Sequence, residues 1–248
     1  VDPRLEVAPV VAVFAQAVSG IVAGLYVGGS LATGDYRPGM SDIDGVAMLD
    51  AAPKPAVRAE LTEIHRRLAR EFEEAKALHC AYVPVRDVAD RTRTHWTWAF
   101  DELFRRPLSG IARAELLADP IVVFGPSPAS WLPPMSSGEL RDGARAELAG
   151  YWSRAVRKRT IWLQDVYVDL GLTVWARADA TISDGVLITK TEAIARLADR
   201  GVPADVVLGV FRRREGQQVT LTEDERNDRA VIVRQFLKTE FARLLSTP

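Results

Sequence analysis

Between Ile21 and Leu49 the chain passes through one apolar run, a Gly28-Gly29-Ser30 turn, and a second apolar run that opens on Ser41-Asp42-Ile43-Asp44. This order constrains the fold more than any other feature. A glycine pair leaving a strand lets the backbone come close to a bound group, and the free N–H groups of a following helix favour a phosphate. Asp42 and Asp44 stand two apart, so on a strand both carboxylates project from one face while Ile43 points into the core. Such a pair suits a hard divalent cation, with magnesium expected where phosphates complete its shell. Metal held this way would orient a triphosphate for in-line attack on its α-phosphorus.

The flanking pattern supplies the elements. Val10, Val11, Phe14, Val18 and Ile21 recur at helical spacing, and Ser19-Gly20 stops that helix before a strand over Ile21 to Val27. Asp44 to Leu49 reads as a second strand, Pro55 to Ala75 as an amphipathic helix through Leu61, Ile64 and Leu68, and Leu78 to Val85 as a third strand. After Arg86-Asp87 come a tryptophan-rich segment, a helix expected around Phe100 to Leu117, and a fourth apolar run, Ile121 to Phe124. Proline and serine dominate 126–137, so the domain boundary is placed there, giving domains 1–135 and 136–248. Beyond it the pattern is helical, with capping boxes at Ser136/Glu139, Thr189/Glu192 and Thr222/Glu225. The fold class expected is α+β: a small mixed sheet flanked by helices, then a helical bundle.

Composition excludes several classes. The 248 residues are 48% hydrophobic, as in a globular protein, and 32 Lys plus Arg against 33 Asp plus Glu leave a net charge of -1. That balance, without a basic stripe, argues against a nucleic-acid or anionic-membrane partner. Cys80 is the only cysteine, so neither an internal disulfide nor a cysteine zinc cage forms, and a reducing cytoplasm is the expected location. Val7 to Gly34 carries no charge, yet Gln16, Ser19, Gly20, Gly24, Gly28, Gly29 and Ser30 interrupt it, so it reads as a buried helix and strand rather than a membrane span. The expectation is a cytoplasmic monomer acting on small molecules.

The order strand, Gly-Ser, short helix, Asp-x-Asp, strand resembles the minimal signature of nucleotidyltransferases of the DNA polymerase β-like superfamily. Leu78 to Val88, Phe124-Gly125-Pro126 and a helical region holding Arg177, Gly185, Lys190 and Glu192-Ala193 are most similar to the aminoglycoside adenylyltransferases that modify streptomycin and spectinomycin. That resemblance implies transfer of AMP from ATP, with magnesium, to a hydroxyl of a small acceptor, an aminoglycoside being the acceptor the family suggests. It implies further that Gly29, Ser30 and Ser41 contact the nucleotide and that Asp42 and Asp44 hold the metal. Arg177 and Lys190 would reach the triphosphate, Lys190 from the first position of a helix capped by Thr189. Trp96 and Trp98 sit where the family places a substrate-contacting tryptophan, and Asp165 and Asp169 near an acidic position that would pair with an amine of a cationic sugar, although the gapless match there is Tyr167.

One position departs from the family. Its third carboxylate, a glutamate on the strand after the long helix, serves as general base, and here the matching residue is His79. A neutral imidazole, with an ordinary pKa of about 6.5, accepts a proton near pH 7 but is a poor ligand for magnesium. Three readings stay open: a histidine base in an altered enzyme, a regulatory or antitoxin-like module that binds nucleotide without turnover, or an alignment displaced along the strand. Glu73, Glu74 and Asp87 are the substitutes for the missing carboxylate.

Overall fold

The computed structural model describes residues 4–246 and divides into two compact units, Val1–Met135 and Ser136–Pro248. In the first unit, α1 (Arg4–Val18) buries Val7, Val10, Phe14 and Val18 at helical spacing. It leads through a turn to β1 (Gly24–Gly28), three residues later than the apolar run suggests, because Ile21 closes the helix by donating its N–H to Val18. A four-residue helix α2 (Gly29–Ala32) and a loop follow, then β2 (Ile43–Leu49), α3 (Pro55–Glu71), a 3-10 turn over Glu73–Ala77, and β3 (Leu78–Pro84).

The segment from 94 to 107 overturns an expectation. Its tryptophans lie on β4 (Thr94–Ala99), which pairs antiparallel with β5 (Glu102–Pro107) through a turn at Phe100 and Asp101. No helix begins at Phe100; α4 spans Gly110–Ala118, capped by the Ser109 side chain. Alternation in Thr94-His-Trp-Thr-Trp, with β-branched and aromatic residues, is a strand pattern, and Pro107 would interrupt a helix through that point. The last strand, β6 (Ile121–Phe124), matches its apolar run.

The six strands form one mixed sheet in the order β5-β4-β3-β2-β1-β6, with β2 and β3 parallel and every other pair antiparallel. Parallel neighbours need a crossover, which α3 supplies. Leu25, Val27, Ile43, Ala47, Leu78, Cys80, Tyr82 and Trp98 pack with residues of α1 and α3 on one face. Tyr26, Val46, Met48, Ala81 and Val83 pack with Leu108 and Leu116 on the other. The proline-rich stretch before the boundary is anchored to this second face: Trp131 and Leu132 are packed there, Trp131 donates its indole N–H to the Tyr26 hydroxyl at 2.7 Å, and that hydroxyl donates to the Pro126 carbonyl at 2.6 Å.

The second unit is helical: α5 (Ser137–Glu147), a π turn over Leu148–Trp152 running into α6 (Ser153–Ala155), α7 (Asp165–Asp179), α8 (Lys190–Asp199), α9 (Ala204–Arg214) and α10 (Glu223–Ser246). All three capping boxes form, with Ser136, Thr189 and Thr222 each exchanging hydrogen bonds with the glutamate three residues on. Trp162, Val168, Leu172, Trp175 and Leu237 are fully buried in its core. Among the described residues no helix is long and apolar enough to cross a membrane.

Candidate functional site

Strand register brings the sequence motifs together. Gly28 pairs with Asp44 across β1 and β2, and Asp44 pairs with His79 across β2 and β3, so the three form one row across the sheet. Paired residues share a face, and Asp42, two before Asp44, joins them. Ile43 between the aspartates is fully buried, as the alternation requires. Asp42 Oδ2 lies 3.8 Å from His79 Nδ1, a contact between a half-exposed carboxylate and an imidazole whose side chain is only 10% exposed. At that distance the two are neighbours without a hydrogen bond between them.

Gly29 explains itself in this frame. Its backbone is left-handed, at φ +60°, and a Cβ there would stand 2.5 Å from Asp44 Oδ2. Any side chain at 29 would therefore push the carboxylate aside as well as strain the backbone. Ser30 is the second residue of α2, a helix of four residues, too short for the helix-dipole contribution expected for phosphate. Ser41 is buried, and its hydroxyl accepts the Arg37 N–H at 3.0 Å while its own N–H returns to the Arg37 carbonyl. Ser41 thus closes the loop that delivers Asp42 onto its strand.

Of the substitute carboxylates, Asp87 follows β3 at the end remote from His79, and Glu73 pairs outward with Lys76. Glu74 precedes β3 on the near side; burial first, then the charges of Glu6, Glu74 and Asp42, raise the phenol of Tyr36, which places Glu74 and Asp42 in one electrostatic neighbourhood. Among the described residues no three or more His, Cys, Asp and Glu side chains gather so as to hold a metal by themselves. Two carboxylates on one face remain a fitting oxygen donor set for magnesium once ligand oxygens complete it, and His79 does not belong to that set.

Other expected residues are elsewhere. Trp98 is paired with Cys80 and Trp96 with Tyr82, so both lie on the helix-covered face, opposite Asp44 and His79. Trp98 stacks on His65 at 4.7 Å and Trp96 lies under Arg58 at 4.6 Å; neither touches the acidic pair. Asp169 receives two hydrogen bonds from Arg213, at 2.8 and 2.6 Å, and Asp165 is bound by Arg229 with Arg213 at 3.8 Å. Burial raises the Asp169 carboxyl while Arg213 opposes that shift. Both acids are thus neutralised inside their own unit, which leaves them poorly suited to bind an incoming amine. Arg177 donates Nε–H to the Ile188 carbonyl at 2.9 Å, bracing the loop that leads to Thr189 and Lys190, and Lys190 opens α8 as expected.

Two features escaped the sequence reading. Phe100 packs edge-on against His79, with ring centroids 5.0 Å apart. In the second unit Asp179, wholly buried, binds Arg196, Arg200 and Arg243 at 2.9, 3.1 and 2.8 Å, pinning α7, α8 and α10 together. Nothing in local spacing announces either, since each joins residues distant in the chain.

Residues 11–97 match the family model described as nucleotidyltransferase domain. Among solved structures, the chain is similar to spectinomycin adenyltransferase AAD(9) from Enterococcus faecialis, crystallised with ATP and spectinomycin, at a TM-score of 0.73 and 14% identity, over 94% of this chain and 98% of that one. No curated protein sequence matches it. The matched segment holds Gly29, Ser30, Asp42, Asp44 and His79, and the similarity in fold extends through the helical unit.

Proposed function

We propose that this protein is a nucleotidyltransferase that moves AMP from magnesium-bound ATP to a hydroxyl of a small molecule. The observation that carries the reading is the Gly28-Asp44-His79 row with Asp42 beside it, within the segment that matches the nucleotidyltransferase model. Magnesium held by Asp42 and Asp44 would supply charge neutralisation at the phosphates. The acceptor oxygen bonds to the α-phosphorus as the bond to the β-phosphate oxygen breaks, and pyrophosphate departs. The hydroxyl proton passes to the imidazole of His79, whose Nδ1 lies 3.8 Å from Asp42 Oδ2. Gly29 keeps the Asp44 carboxylate in place, and Ser30, Ser41, Arg177 and Lys190 are proposed as further nucleotide contacts, on the resemblance.

Aminoglycosides belong in the acceptor panel, because the fold neighbour was crystallised with spectinomycin, beside neutral and anionic hydroxyl compounds. Incubation with ATP, magnesium and an acceptor panel, followed by mass spectrometry, tests the reading: an AMP adduct with pyrophosphate release is expected. Magnesium-ATP binding without turnover on any acceptor supports the second reading, a nucleotide-binding module, favoured by the nitrogen base that occupies the place of an oxygen ligand. His79→Glu separates the two. Under the second reading it creates turnover, since register sets position 79 beside Asp44.

A further inference from the structure

The β4–β5 turn is built from the wrong residues for its shape. Phe100 and Asp101 both have left-handed backbone, at φ 55° and 60°. Such two-residue turns favour asparagine and glycine, and strain of this kind persists where something besides stability selects it. Phe100 is 76% exposed, so burial does not compensate the strain. Its edge meets His79.

Beside that ring opens a cleft of about 560 Å³, lined by Arg66, Arg70, Lys76, Trp98, Phe100 and Asp101. Its size is that of a small-molecule site, and its walls carry three cations against one carboxylate. Arg66 approaches Asp101 at 3.9 Å, Arg70 meets Glu63 at 2.8 Å and Lys76 meets Glu73 at 2.5 Å, with every partner more than half exposed. Exposed pairs of this sort contribute little and exchange readily for an incoming anion. Farther along β4, Arg58 and Arg105 flank Trp96 and donate to the carbonyls of Pro53 and Thr94, which adds positive charge uncancelled by those carbonyls. A cationic acceptor finds only Asp101 here, already near Arg66, and Asp165 and Asp169 are held by arginines.

We infer that the acceptor in the proposed reaction is anionic: it carries a phosphate or carboxylate bound by Arg66, Arg70 and Lys76, lays an apolar part against Phe100, and turns its hydroxyl toward His79. This rests on the nucleotidyl-transfer reading and specifies its substrate class. Calorimetry on the full chain without nucleotide tests it, with phenyl phosphate, benzoate and benzylamine as probes. The two anions bind and benzylamine does not, and the tighter anion identifies the group the cleft prefers. Arg70→Glu with Lys76→Glu weakens the anions about tenfold, as expected for loss of charge-assisted hydrogen bonds. Thermal stabilisation of that variant by magnesium-ATP stays at the wild-type value. Equal binding of benzylamine, or unchanged anion binding in the variant, overturns the inference. So does loss of magnesium-ATP stabilisation in the variant, which would make the cleft a triphosphate site. Wild-type protein that binds magnesium-ATP but neither anion refutes the acceptor class alone; failure to bind magnesium-ATP removes the nucleotidyl-transfer reading, and the acceptor assignment with it.

Discussion

Gly29→Ala probes the site at its tightest contact. The new Cβ would stand 2.5 Å from Asp44 Oδ2 and 3.3 Å from its Cγ, on a backbone at φ +60°. The backbone part costs roughly 1 kcal/mol, as for any alanine in the left-handed region. Relief of the contact rotates a short side chain away from its preferred position, which adds roughly 0.5–1.5 kcal/mol. Gly201→Ala is the control, because Gly201 has φ +83° and nothing within 4 Å of a Cβ. Each variant should lower the melting temperature by about 2–4 °C per kcal/mol. Only Gly29→Ala should lose stabilisation by magnesium-ATP, which at a hundredfold excess over Kd amounts to about 2.7 kcal/mol in the wild type. The double variant Gly29→Ala/Asp44→Ala removes Oδ2, so its stability loss should fall short of the sum of the singles by the contact term, ~0.5–1.5 kcal/mol. Full magnesium-ATP stabilisation of Gly29→Ala, or strict additivity in the double variant, refutes the claim that Gly29 exists to seat the carboxylate proposed to hold magnesium.

Burial, and then the charge of His79, hold the His65 imidazole down at about 3, while its Nε2 lies 2.7 Å from the Tyr82 hydroxyl. Because the folded state stays neutral where the unfolded chain takes a proton, this contribution is intact above about pH 6.5 and declines by up to ~1.4 kcal/mol per pH unit toward about 3. Urea denaturation between pH 7 and 5 should show that slope in the wild type and a flatter one in His65→Gln; equal slopes refute it. For Asp179, desolvation is outweighed by hydrogen bonds from Arg243 and Arg196 and by the charge of Arg200, so its carboxyl is held low. Asp179→Asn should cost ~3 kcal/mol, the low end for a broken buried pair because its arginines are partly exposed, and hydrogen exchange should localise the loss to α7, α8 and α10. Phe100→Asn with Asp101→Gly should raise stability by ~1–2 kcal/mol through relief of left-handed strain, while anion binding in the adjoining cleft declines. A lower melting temperature would show that the present turn is not strained.

What could be read from sequence was whatever period and punctuation encode locally. Asp42, Ile43 and Asp44 reveal their orientation because alternation on a strand is fixed, and Ile43 is indeed buried while the aspartates face outward. Ser136, Thr189 and Thr222 reveal helix starts because a capping box closes within three residues. Packing of Trp131 against Tyr26, across 105 residues of chain, carries no such local mark, and proline and serine alone marked only a domain boundary. Likewise the arginines that take Asp165 and Asp169 come from α9 and α10, so the acids looked available until their partners were placed.

Sheet parity also decides which aromatic ring can serve the site. His79 and Cys80 point to opposite faces, and Trp98, paired with Cys80, goes with Cys80 into the helix-covered core. Residue type and approximate position made Trp98 a natural substrate contact; one residue of register turns it to the face away from Asp44 and His79. Phe100 is two residues beyond Trp98, so continued alternation would have sent its ring the same way. The left-handed turn breaks the alternation there, and the ring reaches His79. A relaxed asparagine-glycine turn would close the same hairpin but place no aromatic ring beside His79. The strain at Phe100 is therefore the means by which an aromatic contact, absent from the strands themselves, reaches the acidic side of the sheet.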